Sequence, residues 1–129
     1  MIVGMGTDIV ELARIDAAIK RGGDAFLRRF CTDKELLEAK GRLAFYAGRW
    51  AAKEAAAKAL GCGIGAGCSF RDIEVSNDRR GTPVLQCRAP AALDLEKRHP
   101  HLSWHLSISH ERAYAVAVVI IESVDDGSR

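Results

Sequence analysis

The first ten residues, MIVGMGTDIV, alternate between two faces in the manner of a strand. Val3, Met5, Thr7 and Ile9 share one face; Ile2, Gly4, Gly6, Asp8 and Val10 share the other. The period then lengthens: from Glu11 to about Arg21, Leu12, Ile15 and Ile19 recur at helical spacing, and Gly22-Gly23 is the expected stop. A short helix is expected around Asp24 to Phe30. Thr32-Asp33-Lys34-Glu35 has the form of a capping box at the head of another short helix, which ends near Gly41.

Residues 42–60 carry the longest helical pattern, closed by Gly61 and followed by the glycine-rich loop GCGIGAG at 61–67. Arg71 to Ser76 and Pro83 to Arg88 read as two strands around the turn sequence NDRRGT. Pro90 opens a helix to about Arg98, and Pro100 lies just beyond its end. Ser103 to His110 and Ala113 to Ser123 read as an antiparallel pair. The second, AYAVAVVIIES, is apolar on both faces and therefore expected at the centre of a sheet. The order β-α-α-α-β-β-α-β-β predicts an α+β fold, an antiparallel sheet with helices on one side, as one domain over 1–124 with a polar tail at 125–129.

Composition changes this picture little. A chain of 129 residues supports one core. A net charge of +2 gives no argument for nucleic acid, and the basic doublets Lys20-Arg21, Arg28-Arg29, Arg79-Arg80 and Lys97-Arg98 read as solvated surface. No apolar run approaches a membrane span, and the N-terminus lacks the pattern of a signal peptide. Cys31, Cys62, Cys68 and Cys87 form no CxxC pair, so reduced thiols in a cytoplasmic protein are expected. No ligand spacing supports a zinc site with His99, His101, His105 or His110.

The chemistry centres on WAAKEAAAKAL at 50–60. At about 100° per residue, Ala44, Gly48, Ala51, Ala55 and Ala59 form a seam of small side chains for close packing. Glu54 and Lys58 lie off that seam. Read alone they are an i,i+4 surface ion pair worth about 0.2–0.5 kcal/mol. Asp8 has two readings of its own. It lies three residues before the expected helix start, as an N-cap would, and it also lies beside the empty space of Gly4 and Gly6. A strand carboxylate and a helix carboxylate suit Mg²⁺, which keeps waters and takes further ligands from a phosphate-bearing substrate. A nearby lysine then meets the same phosphates as a compact charge. Ser107-Ile108-Ser109-His110 does not make a hydrolytic triad, because Ser109 and His110 point to opposite faces of a strand; phosphate or ribose contacts suit it better.

Gly6-Thr7-Asp8 with Arg14, GRWAAKEAAAKALGCGIG at 48–65, RGTP at 80–83 and SISH at 107–110 together resemble the holo-acyl-carrier-protein synthases, the short bacterial type of phosphopantetheinyl transferase. The GxD…WxxKExxxKA combination is the specific part, and the match runs along nearly the whole chain in order. The resemblance implies Mg²⁺-dependent transfer of the phosphopantetheine arm of coenzyme A to a serine of apo-acyl carrier protein. Adenosine 3′,5′-bisphosphate is released, and the product serves fatty acid biosynthesis. It implies Asp8 and Glu54 as metal ligands and Lys58 on the transferred phosphate. Arg49 and His110, with Ser109 and Pro83, would meet the nucleotide, and Gly61, Gly63 and Gly65 would let backbone approach the ligand. It further implies a homotrimer with sites between subunits, one giving Asp8, Glu54 and Lys58 and its neighbour the Gly81–Pro83 and Ser109–His110 regions. Arg14, Arg21 and Arg28, spaced by seven, would face the acidic carrier, although a helix ending at Gly22-Gly23 would leave Arg28 on the next segment.

Phosphoryl-type transfer needs positioning and neutralised charge more than covalent help, and the nucleophile belongs to the carrier, so no nucleophile is required of this chain. Two other readings stand beside the transferase: a non-enzymatic binder of coenzyme A or carrier, and a plain oligomeric interaction protein. Intact Asp8, Glu54 and Lys58 favour the enzyme. Alanine at 55 and 57 departs from the serine or bulkier residues often found in the family at these positions; the tail and Lys53 carry no assigned role.

Overall fold

The computed structural model describes residues 1–124; the tail expected at 125–129 lies outside them. Strand β1 (Ile2–Glu11) leads into α1 (Leu12–Phe30), α2 (Asp33–Ala39) and the long α3 (Leu43–Ala59). A 3-10 turn at Phe70–Asp72 precedes the hairpin of β2 (Ile73–Asn77) and β3 (Pro83–Cys87), then α4 (Pro90–Arg98), β4 (Leu102–His110) and β5 (Tyr114–Ser123). The main sheet is antiparallel in the order β1-β5-β4, so the strand that is apolar on both faces is the central one. Asp8, Ala117 and Ile108 form one row across its three strands.

Helix α3 lies diagonally over one face of this sheet, and small residues on both partners permit the contact. A Cβ built on Gly4 or Gly6 would collide with the backbone carbonyl of Ala59 or Ala55. One on Gly48 would stand 3.1 Å from Ile108 Cγ2. The predicted seam holds from Gly48 onward: Gly48, Ala51, Ala55 and Ala59 are buried, while Ala44 at its start is only partly buried. The helix crosses β4 with its first half and β1 with its second.

The opposite face of the sheet carries no helix among the described residues. Met5 and Ile9 remain 63% exposed there and Val118 37%, with Val116 and Ile120 partly covered. Thr7, Ser107 and Ser109 share this face with them.

One expectation is corrected. Asp8 is not a helix cap: pairing with β5 carries β1 on to Glu11, which is itself the N-cap of α1 and makes no side-chain cap bond. The expected stop at Gly22-Gly23 is present: Gly23 is non-helical and divides α1 into two helical pieces, the second matching the short helix expected at Asp24 to Phe30. Gly23 takes a left-handed φ of 56° and kinks the helix, which resumes to Phe30 because Phe26 and Phe30 pack on Trp50 of α3. The capping box at Thr32 is present with both of its hydrogen bonds. Lys53 is wholly buried, paired with Glu35.

Candidate active site

Asp8 projects from the inner face of β1 at the flank of α3, because its strand neighbours Gly4 and Gly6 have let the helix approach. Lys58 Nζ lies 3.2 Å from Asp8 Oδ1 and donates to the Thr7 carbonyl at 3.0 Å. Glu54, one turn earlier on the same flank, feels both groups. Burial first, and then the negative charge of Asp8, raises the Glu54 carboxyl pKa above its ordinary value, while Lys58 opposes the shift. A carboxylate whose charged form is disfavoured by burial and by a neighbouring negative charge is what a divalent cation stabilises. No three His, Cys, Asp or Glu converge on one point among the described residues. Mg²⁺ nevertheless fits this donor set, since it binds through one or two carboxylates and fills its octahedron with water and substrate phosphate. Glu54–Lys58 is thus not an isolated surface pair: Lys58 bonds across to the strand.

After Lys58 the chain turns sharply. Gly61 and Gly63 take φ of 85° and 65°, and the amides of Cys62 and Gly63 donate back to the Ala57 carbonyl. Gly65 bridges to Cys68. The glycine loop therefore begins beside Lys58, and its left-handed positions have open space where a Cβ would stand.

A second cluster lies on the other flank of α3, about 140° around the helix axis from Glu54 at 100° per residue. Here a cleft of about 440 Å³ is lined by Arg42, Ala44, Phe45, Gly48, Arg49, Asn77, Ile108 and His110. Arg49 is 6% exposed, stacks 3.8 Å from the Phe45 ring centroid and donates to Asn77 Oδ1 at 2.7 Å, leaving its Nε without a partner. A buried guanidinium with an unused donor beside an open cleft suits a planar, anionic ligand. Asn77 in turn donates to the Gly81 carbonyl at 2.8 Å and faces Pro83 across the hairpin, so the RGTP turn is fastened to Arg49. Arg42, Phe45 and Asn77 escaped the sequence reading; only the spacing of Arg42, Phe45 and Arg49 along one helix flank could have signalled them. His110 lines the cleft, whereas Ser109 is on the open face of the sheet.

Arg14 and Arg21 line a groove of about 280 Å³ with Val10, Ile15, Ala17, Ala18, Phe26 and Trp50. An adjoining hollow of about 390 Å³ is framed by Arg21, Phe26 and Arg29 over Ala18, Gly22 and Ala25. Arg28 lines neither. It is exposed, and its carbonyl accepts from Arg71.

A strand carboxylate, a helix Glu–Lys pair and a glycine loop on this fold define a class. The chain belongs to the 4′-phosphopantetheinyl transferase superfamily, whose family model matches residues 4–119. Within it, the chain is similar to the holo-[acyl-carrier-protein] synthases of Vibrio atlanticus, 48% identical over 127 residues, and Aliivibrio fischeri, 49% identical over 127 residues; each match covers 95% of this chain and 98% of the relative. Among solved structures it is similar to the Bacillus anthracis synthase in complex with coenzyme A (3′,5′-ADP), with a TM-score of 0.80 and 46% identity over 95% of this chain and 98% of that one. The Helicobacter pylori synthase in complex with coenzyme A gives a TM-score of 0.82 and 36% identity over 92% and 99%.

Proposed function

We infer that this chain transfers the 4′-phosphopantetheine group of coenzyme A to a serine of apo-acyl carrier protein, releasing adenosine 3′,5′-bisphosphate. The observation that carries the reading is Asp8, Glu54 and Lys58 gathered at one flank of α3, where the glycine loop begins. The relatives bearing the synthase name, and those solved with coenzyme A, support it.

Asp8 and Glu54 would hold Mg²⁺, which when bound neutralises charge on the diphosphate of coenzyme A. Lys58, held by the Thr7 carbonyl and Asp8, aims its ammonium at the phosphate being transferred. Gly61, Gly63 and Gly65 admit the ligand against backbone. Arg49 and His110 take the nucleotide end, with Phe45 and Arg42 as the floor and Pro83 at the rim through Asn77.

The two clusters lie on opposite flanks of one helix, so one copy does not wrap a single coenzyme A with both. A homotrimer that pairs the Glu54 flank of one subunit with the Arg49 flank of the next completes the site. The open apolar sheet face carrying Met5, Ile9 and Val118 gives such an assembly surface to bury. Arg14 and Arg21 beside an apolar groove suit an acidic carrier that presents an apolar side chain, with Arg28 adjacent in the next half-helix. No helix among the described residues is long and apolar enough to cross a membrane. We place the enzyme in the cytoplasm, serving fatty acid biosynthesis.

The test is to incubate the protein with apo-acyl carrier protein and coenzyme A, with Mg²⁺ or with EDTA, and to weigh the carrier by mass spectrometry. The carrier should gain one phosphopantetheine only when Mg²⁺ is present. An unmodified carrier with a folded enzyme contradicts the transfer, and a gain that survives EDTA contradicts the metal.

A further inference from the structure

Lys53 precedes Glu54 in the chain, yet its side chain runs in another direction and is 0% exposed. Its Nζ donates to the Phe30 carbonyl and to Glu35 Oε1, both at 2.6 Å. Glu35 Oε1 also accepts from the Thr32 amide and Oε2 from the Val75 amide, each at 2.8 Å. One buried ion pair therefore joins four pieces of the fold: the last carbonyl of α1, the cap of α2, the strand β2 and the helix α3 that carries Glu54 and Lys58.

Burying two charges is an expensive way to fill space; an apolar pair of similar volume often serves stability as well or better. What the pair supplies, and an apolar contact would not, is a fixed attachment point for Phe30. That point matters because Gly23 breaks the rigidity of α1. The half-helix after the kink carries Phe26 and Arg29, which wall the hollow shared with Arg21. Its hold on the rest of the molecule includes Phe26 and Phe30 against Trp50, Phe30 against Phe70, the exposed Arg71 bond to the Arg28 carbonyl, and the buried Lys53 bond to the Phe30 carbonyl.

We propose that Lys53 is a positioning residue for the carrier protein. Paired with Glu35, it fixes the second half of α1 against α3, so that the docking hollow keeps a set distance from Glu54 and Lys58. The inference rests on the reading of α1 as the carrier-docking face and deepens it. Lys53 touches no substrate; its effect reaches the reaction only through where the carrier serine arrives.

Lys53→Met alone would strand the Glu35 charge in the interior, so the variant to use is the double replacement Glu35→Gln with Lys53→Met, its fold checked by circular dichroism. The expected result is a rise of about tenfold in KM for the carrier, a loss of about 1.4 kcal/mol in that step, with KM for coenzyme A unchanged. Amide hydrogen exchange should quicken across residues 24–30. Lys53→Arg, which keeps the charge and the donors, should recover most of the carrier KM. Phe70→Leu frees Phe30 from its far side without touching a charge, and should give the same split if the double variant does not fold. Arg21→Glu, run in parallel, tests the docking face itself. If Arg21→Glu raises the carrier KM and the folded double variant does not, the inference fails and the docking face stands. If Arg21→Glu leaves the carrier KM unmoved, the docking reading fails and the inference falls with it. Equal losses for carrier and coenzyme A would mark Lys53 as scaffold only and overturn the proposal.

Discussion

Gly6 of β1 lies against the backbone of Ala55 in α3 so closely that a Cβ on the glycine would strike the Ala55 carbonyl oxygen and stand 2.7 Å from the Ala59 amide nitrogen. Asp8 is two residues along the same strand face, and Glu54 is the residue before Ala55. The separation of the two carboxylates is therefore set by this backbone contact. Gly6→Ala should push α3 outward, destabilise the fold by about 1–3 kcal/mol, and weaken Mg²⁺-dependent transfer in the protein that remains folded. Thermal melting and a magnesium titration of activity check this; an active variant with unchanged magnesium demand would show that the contact does not set the site.

Glu54→Gln should lower transfer by about two to three orders of magnitude, since it removes charge where charge must be balanced. The same variant should melt higher than the wild type in EDTA at neutral pH. The sign follows from the raised carboxyl pKa. Between the ordinary value of 4.5 and the raised folded value, the folded state keeps a proton that the unfolded state has lost. Stability contributed by that proton is present at lower pH and lost as the pH rises through the window, so at neutral pH the ionised carboxylate is a liability that glutamine lacks. Melting temperature against pH, with and without Mg²⁺, reads it; a lower melting temperature for Glu54→Gln would count against the electrostatic account.

Arg49 combines a stack on Phe45 with a bond to Asn77 and an unused buried donor. Arg49→Lys keeps the charge but loses the plane and the fork, so it should raise the KM for coenzyme A nearly as far as Arg49→Ala. A charged hydrogen bond of about 1.5–3 kcal/mol corresponds to a rise of one to two orders of magnitude. Full activity in Arg49→Lys would reduce the site to simple charge attraction.

Ile9→Lys places a cation on the open sheet face, on its edge strand β1, without touching the inner face. It should yield a folded monomer with little transfer activity, read by sedimentation and by circular dichroism. A trimer that survives the substitution would place the subunit interface elsewhere.

Much of the fold was legible because local signals and packing agree in it. Strand alternation at 2–11, the Thr32–Glu35 capping box and the seam from Gly48 to Ala59 all appear where the sequence puts them. The misses share a cause: they depend on what a segment packs against. Gly22-Gly23 interrupts the helix as expected; what sequence could not show is that aromatic contact with Trp50 seats the piece that follows. Because Gly23 is not helical, it also breaks the seven-residue phase of Arg14, Arg21 and Arg28, and Arg29 arrives at the hollow instead. Lys53 looked idle because its partners, Phe30 and Glu35, come from segments 23 and 18 residues away. Asp8, Glu54 and Lys58 were legible as candidates from residue type and spacing, and family resemblance gave them roles. Their grouping depended on a strand and a helix meeting, which composition and periodicity alone do not determine.

The central claim is that Asp8 and Glu54 serve one magnesium-dependent transfer completed by a neighbouring subunit. The most direct measurement mixes two impaired variants, Glu54→Gln and Arg49→Ala, unfolded and refolded together, and weighs apo-acyl carrier protein after incubation with Mg²⁺ and coenzyme A at a concentration far below the raised KM of Arg49→Ala. In the proposed trimer, mixed assemblies would contain sites made of one intact Glu54 flank and one intact Arg49 flank, so the carrier should gain phosphopantetheine at a rate neither variant reaches alone. A mixture no more active than its components, with mixed trimers shown to be present, would contradict the shared site.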